Sequence, residues 1–386
     1  MKLPRSFDLT VRKKSDLVSI IVPTYQEAEN LRILIARISH TMTTIHTPYE
    51  IIVVDDNSKD GSDRVISELA DKGYPVRIII RFAERGLSSA VIRGFKEAKG
   101  RFLVCIDADL SHPPEKIPQL LESLSGDKCD FAIGSRYVPG ASIEENWGFF
   151  RSLNSKVATL LARPFTRIND PMSGFFALPL VVFEQAEKLD PIGYKIGLEL
   201  IVKCSCRHIC EIPIHFADRK YGQSKLHLKE QLNYLKHLKR LADFKYGNFS
   251  RLIQFCLVGS TGMAIDLGTY MFLLNSGIAI TLSRGLAIWL AMTWNFWLNR
   301  RLTFSYSRPD SVLKQYPRFL ASCGTGAFIS WSIAVLLPQK VTMFSNHLLL
   351  AATIGIAVGT LFNFLLSRYW VFKRLSSQFK TPEDKL

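Results

Sequence analysis

Two aspartates flanking one alanine, Asp107-Ala108-Asp109, end the apolar run Phe102-Leu103-Val104-Cys105-Ile106. A buried strand that stops in paired carboxylates puts hard oxygen ligands at a sheet edge. Mg²⁺ or Mn²⁺ held there can bridge to a nucleotide diphosphate. The same two acids also read as solvated loop residues, and the motif is too short to choose between the readings. Two more polar clusters follow apolar runs: Pro23-Thr24-Tyr25 and Asp55-Asp56-Asn57-Ser58.

The elements that must position these clusters alternate. Residues 18–23 and 50–56 read as strands, as do 76–81 and 102–106. Helical spacing fills the gaps: Leu31, Leu34, Ile35 and Ile38 within 29–41, then 60–72 and 87–98. Near-continuous apolar strands between amphipathic helices imply a mostly parallel sheet covered on both faces. Ligands of such sheets bind beyond the carboxyl ends of the strands, where all three polar clusters fall. Asn57 or Ser58 is also suited to cap the helix that follows. No Gly-x-Gly-x-x-Gly follows the first strand and no Gly-x-x-x-x-Gly-Lys-Ser/Thr occurs, which disfavours dinucleotide binding and excludes P-loop chemistry.

The chain has 386 residues, enough for two domains, and carries a formal net charge of +15. The charge is placed for a membrane surface rather than for nucleic acid. Lys225, Lys229, Lys236, Lys239, Arg240, Lys245 and Arg251 lead directly into a strongly apolar stretch that opens at Leu252. The seven cysteines are odd in number, and residues 1–17 are charged and lack the apolar core of a secretory signal. Reduced thiols are expected. Cys204-Ser205-Cys206-Arg207-His208-Ile209-Cys210 lacks a second ligand pair at zinc-finger spacing.

Leu228, Leu232, Leu235 and Leu238 repeat at helical spacing with basic residues between them, the pattern of an interfacial helix lying on a bilayer. Four apolar spans follow near 252–274, 278–299, 319–338 and 346–372, each able to cross a hydrocarbon core that needs about 20 helical residues. They contain a repeat. Asn295-Phe296 through Phe304 matches Asn363-Phe364 through Phe372, and Phe255 with Gly262 echoes Phe319 with Gly326. Two related helical hairpins are expected. Basic residues gather before span one, between spans two and three, and after span four, so the positive-inside rule puts both termini and the first half in the cytoplasm. Asp266 falls inside span one, where a charge pairs with Arg284 or serves a polar path.

The motifs VSIIVPTYQE (18–27), IIVVDDNSKDG (51–61), GLSSAVIRG (86–94), IDADLSHPPE (106–115) and GSRY (134–137) together resemble family 2 glycosyltransferases of GT-A fold. The likeness is to polyprenyl-phosphate sugar synthases of the dolichol-phosphate mannose synthase type. Residues 250–375 resemble the GtrA-like four-helix membrane domains that accompany such enzymes. The resemblance implies an α/β GT-A domain, Rossmann-like with a mostly parallel sheet, over 18–225. An amphipathic helix at 226–247 and an all-α transmembrane domain at 250–375 follow, between tails at 1–17 and 376–386.

It further implies that Pro23, Tyr25 and Glu27 meet the nucleoside, that Val54 and Asp56 contact base and ribose with Asp55 beside them, and that Asp107, Ala108 and Asp109 meet the donor and metal. The resemblance makes Asp109 the expected direct ligand. Ser111 stands where relatives carry an amide and would ligate weakly or through water. Arg136 and Arg151 match bases used around sugar and acceptor phosphates; Arg219 and Lys225 match a diphosphate clamp. Asp170 to Gly174 matches a turn on the acceptor side, and 140–150 a loop over the site. The implied reaction is inverting transfer of a hexose to a membrane polyprenyl phosphate, first of all mannose from GDP-mannose. UDP-glucose is the alternative donor. A reading of another class is a lipid-linked sugar transporter with a nucleotide-sensing soluble half. A processive polysaccharide synthase is disfavoured because Gln-x-x-Arg-Trp is missing near the end of the catalytic half.

Overall fold

In the computed structural model the described residues are 16–126, 129–144, 149–187, 189–190, 192–193, 195–217, 228–345 and 347–373. The chain divides into two compact units, Met1–Lys245 and Tyr246–Leu386.

The first unit is built on nine strands: β1 Val18–Thr24, β2 Tyr49–Asp55, β3 Val76–Ile80, β4 Phe102–Cys105, β5 Phe131–Ser135, β6 Ser142–Ile143, β7 Phe176–Pro179, β8 Ile209–Pro213 and β9 His215–Phe216. Its helices are α1 Ala28–Thr44, α2 Ser62–Asp71, α3 Leu87–Glu97, α4 Ile117–Leu124, α5 Phe149–Ala162, α6 Leu180–Glu184, α7 Ile196–Lys203 and α8 Leu228–Tyr246. Seven strands form one sheet in the order β3-β2-β1-β4-β7-β5-β8, and β6 pairs with β9 in a short ribbon. Every pair in the large sheet is parallel except those made by β7, which runs antiparallel between β4 and β5.

Both faces are covered, so β1, β2 and β4 are buried on both sides and read as continuous apolar runs. Ile20, Val22, Ile51, Val53 and Val104 pack on one face against Leu31, Leu34 and Ile35 of α1. Ile21, Ile52, Val54 and Leu103 pack on the other with Val91 and Phe95 of α3. Gly94 is required by this contact, because a Cβ there would press on Ile21 and Val54. With β1 to β4 parallel, their carboxyl ends open on one edge, which carries all three polar clusters.

Three expectations are revised. The helix after β2 is not capped by Asn57 or Ser58; Asp60 Oδ1 accepts from the amide and hydroxyl of Ser62, its first residue. The α8 leucines do not share one environment. Leu238 is buried, and Leu241, one turn on, joins it against Ala162, Met172, Leu198 and Val202, while Leu232 and Leu235 are exposed. The thiols are not all free: Cys129 and Cys210 form a disulfide joining the segment before β5 to β8, with Cα atoms 5.9 Å apart.

The second unit is helical: α9 Asn248–Asn275, α10 Ile280–Leu298, α11 Val312–Lys340, α12 Thr342–Ser345 and α13 Leu348–Leu366. Asn248–Asn275, Val312–Lys340 and Leu350–Val371 are each long and apolar enough to cross a membrane. The sequence repeat has a structural counterpart. α10 and α13 each run into a π-helical turn, Asn299–Thr303 and Ser367–Val371. Each turn closes with a 2.8 Å bond from the next residue's amide, Phe304 N to Asn299 O and Phe372 N to Ser367 O. Gly262 packs on Asn295 as Gly326 packs on Asn363. Asp266 takes the first of its two readings and pairs with Arg284 at 2.8 Å.

Candidate active site

The loop after β1 and the loop after β2 are laced together. The Gln26 amide donates to Ser58 Oγ at 2.9 Å, and Ser58 donates in turn, through its amide and its hydroxyl, to the Asp55 carboxylate. Asp55 therefore shapes the loop. Asp56 is buried and receives Arg81 Nε at 2.7 Å on Oδ1 and the Gly86 amide at 2.7 Å on Oδ2. The Val54 side chain lies in the core, so only its main chain can meet a ligand. Pro23 is buried in β1 opposite Val54. Tyr25 is exposed at the rim, with the Arg85 guanidinium 5.7 Å from its ring centre. Glu27 accepts from Asn30 Nδ2 at the start of α1.

The paired acids follow β4. Leu110 has φ +62°, which turns the chain back so that the Ser111 amide and hydroxyl both donate to Asp109 Oδ1, at 3.1 and 2.5 Å. Ser111 is fully buried, and its hydroxyl is directed at the acid. The Asp107 carboxylate is partly exposed. It lies over Gly174, where any Cβ would overlap it, and His112 Nε2 stands 3.4 Å from its Oδ2. His112 is itself held between the rings of Phe175 and Phe216.

Arg136 makes a paired bond to Asp170: Nε to Oδ2 at 2.7 Å and Nη2 to Oδ1 at 2.8 Å, with the Arg136 amide also on Oδ2. Burial alone would lower the pKa of this guanidinium, but the bond to Asp170 and its charge outweigh burial and raise it. Lys195, at the start of α7, lies in the same field. Burial first, and then the positive charge of Arg136, push its pKa down to about 8.

The structure thus brings Pro23, Tyr25, Asp55, Asp56, Asp107, Ala108, Asp109 and Ser111 to one sheet edge, with Arg136 tied to Asp170 at the end of β5. Arg151 lies in the first turn of α5, and its side chain is outside the described residues. Arg219 and Lys225 lie outside them altogether, as does most of 145–150. Sequence reasoning missed Arg81, His112 and Lys195. Arg81 had a readable signal, a base closing an apolar strand beside the Asp55-Asp56 strand. Lys195 had none, since α7 reaches the site only through tertiary packing.

Two family descriptions match. "Glycosyl transferase family 2" covers residues 19–179, and "GtrA/DPMS, transmembrane domain" covers 254–378. A dolichol-phosphate mannosyltransferase of Pyrococcus furiosus is 40% identical over 356 residues, which is 91% of this chain and 98% of that one. The chain belongs to the dolichol-phosphate mannosyltransferase family. It is a glycosyltransferase with a membrane domain. Other members of the family include proteins of that name from Saccharomyces cerevisiae, 46% identical over 59% of this chain and 88% of that one, and from Mycosarcoma maydis, 45% identical over 59% and 80%.

The donor set suits the small divalent cation expected in this family. Mg²⁺ or Mn²⁺ takes one or two carboxylates and completes its shell with water and substrate phosphate, and Asp107 and Asp109 supply hard oxygens without a third acid. Among the described residues no group of three His, Cys, Asp or Glu side chains is arranged to hold a metal by itself. A cation here would rely on the diphosphate for part of its shell.

Proposed function

We propose that this protein transfers mannose from GDP-mannose to a membrane polyprenyl phosphate with inversion at the anomeric carbon, using Mg²⁺ or Mn²⁺. The observation that carries the reading is the likeness to the Pyrococcus furiosus dolichol-phosphate mannosyltransferase, which runs through both halves of the chain.

A phosphate oxygen of the acceptor attacks the anomeric carbon. The bond from that carbon to the donor's diphosphate breaks, and its electron pair leaves on the diphosphate oxygen. The acceptor phosphate has its second ionisation near pH 6 and is already largely anionic at neutral pH, so the chain need not supply a base. Asp107 and Asp109 would hold the cation, which when bound supplies positive charge to the leaving diphosphate. Ser111 fixes the rotamer of Asp109, and Gly174 leaves room for Asp107. The loops after β1 and β2, joined through Ser58, would receive the nucleoside, with Tyr25 and Arg85 at the rim. Arg219 and Lys225 would clamp the diphosphate, and Arg151 would meet the acceptor side.

The membrane domain keeps the enzyme where the acceptor's apolar tail resides. We assign it four crossings, α9, α10, α11 and α13. The basic residues Arg251, Arg300, Arg301, Arg308, Lys314 and Arg318 would lie on the cytoplasmic side with the catalytic unit and both termini.

The test is transfer by the full-length protein in detergent or nanodiscs, with a short polyprenyl phosphate, Mg²⁺ or Mn²⁺, and GDP-mannose or UDP-glucose. The expected product is an alkali-stable, acid-labile mannolipid formed from GDP-mannose. Glucolipid from UDP-glucose alone would reassign the donor, and no lipid-linked sugar from any donor would refute the reading.

A further inference from the structure

Among the described residues at this sheet edge the charges do not all pair. Arg136 is matched by Asp170 through two parallel bonds. Asp107 and Asp109 suit a divalent cation. Lys195 is left over: among the described residues it forms neither a salt bridge nor a hydrogen bond through its ammonium. It is half-buried, and its electrostatic neighbours are Arg136, Asp170, Asp107 and Glu230.

Four contacts fix its place. Gly193 has φ +72°, and its carbonyl accepts Ser88 Oγ at 2.6 Å from the first turn of α3. A Cβ on Gly193 would stand 3.6 Å from Glu230 Oε2 of α8. On the other side of Lys195, Gly197 rests on the Ser173 carbonyl and the Phe176 ring; a Cβ there would be 3.7 and 3.6 Å from them. The next residue along that turn, Gly174, carries the Asp107 carboxylate over its Cα. The start of α7 therefore lies beside the turn that links the Arg136–Asp170 pair to Asp107, and Ser88 holds the Gly193 carbonyl two residues before Lys195.

We propose that the Lys195 ammonium binds the phosphate of the polyprenyl acceptor and holds it beside the donor's anomeric carbon. A shielded cation without a carboxylate partner is costly, and a phosphomonoester near charge −2 is the anion that the reaction brings to this edge. Lysine suits the task because its three donors on a flexible stem let a point charge follow the oxygen that attacks. This deepens the mannosyl-transfer reading and rests on it.

The experiment compares wild type with Lys195→Met and Lys195→Arg in the full-length protein, measuring KM for a short polyprenyl phosphate and, separately, GDP-mannose affinity with Mn²⁺. Lys195→Met should raise the acceptor KM about tenfold to a hundredfold, the size of a lost hydrogen bond to a charged group. Donor affinity should stay within about twofold of wild type on the same scale, and Lys195→Arg should recover most of the loss. Unchanged donor binding also shows that the variant is folded. Weakened donor binding with an unchanged acceptor KM would overturn the proposal and place the ammonium on the donor diphosphate. Equal kinetics in all three proteins would overturn it outright. A wild type that transfers no sugar to polyprenyl phosphate refutes the parent reading instead, so the two failures are distinguishable.

Discussion

Phe304 and Phe372 stack with ring centres 4.9 Å apart and planes inclined by 18°. They are equivalent residues of the repeat, each one position past its π-helical turn. Around them the contacts come in matched pairs. Phe296 meets Phe319 at 5.6 Å as Phe364 meets Phe255 at 5.7 Å, and Phe296 meets Phe372 at 5.9 Å as Phe364 meets Phe304 at 6.2 Å. The helical unit is thus a pseudo-two-fold pair of hairpins whose axis passes between the Phe304 and Phe372 rings.

A double-mutant cycle on Phe304→Ala and Phe372→Ala should return a coupling of about 0.5–1.5 kcal/mol, the range for a buried aromatic pair. Unfolding in mild detergent followed by tryptophan fluorescence measures it. Additive losses would show that the two rings do not depend on each other.

Ser111→Ala removes a hydroxyl that donates to Asp109 Oδ1 at 2.5 Å but leaves the carboxylate in place. Transfer should need about tenfold or more additional Mn²⁺ for half-maximal rate, because the rotamer of the proposed ligand is freed. Saturating metal should restore much of kcat. Asp109→Asn should not be rescued by metal at any concentration.

Gly174→Ala puts a methyl group where the Asp107 carboxylate lies. Activity should fall by about a hundredfold or more, since small misplacements at a reacting centre are costly. The thermal midpoint should move by only a few degrees, as one surface-facing carboxylate is displaced rather than the core.

Asp170→Asn leaves the shielded Arg136 guanidinium without its charge partner. A loss of about 3–5 kcal/mol of stability is expected from breaking a buried pair on one side. Replacing both residues should cost less than replacing Asp170 alone, as denaturant midpoints of the soluble unit's transition would show.

The Lys195 ammonium, with its pKa lowered to about 8, is charged at neutral pH and loses its charge as pH rises past 8. Acceptor kcat/KM should therefore fall on that limb, and Lys195→Arg should carry the plateau to higher pH. Stability moves the other way. The unfolded lysine holds its proton to about pH 10.4, so between about 8 and 10 the unfolded state binds more protons and this residue's contribution to folding grows with pH.

Much of the site was legible because it is local. Asp107 and Asp109 follow a strand whose apolar run is continuous, and a doubly covered parallel sheet demands such runs. The hairpin repeat was legible because Asn295 with Phe296 and Asn363 with Phe364 keep both type and order. Other features had no local signal. The antiparallel β7 is a short apolar run like its neighbours. The Cys129–Cys210 disulfide joins residues separated by 81 positions. The leucines of α8 obey one period yet divide between core and surface, because α5 and α7 cover only part of the helix.

The alternation of strands and helices, the edge that collects the acids, and the division into a charged and an apolar half all follow from side-chain periodicity over a few residues. Which charges are already satisfied depends on how distant elements pack. Arg136 is bound by Asp170 and Asp56 by Arg81, whereas Lys195 is delivered to the acids with no carboxylate pairing it among the described residues. Charge pairing depends on distances between elements far apart in the chain, and side-chain periodicity holds no information about those distances.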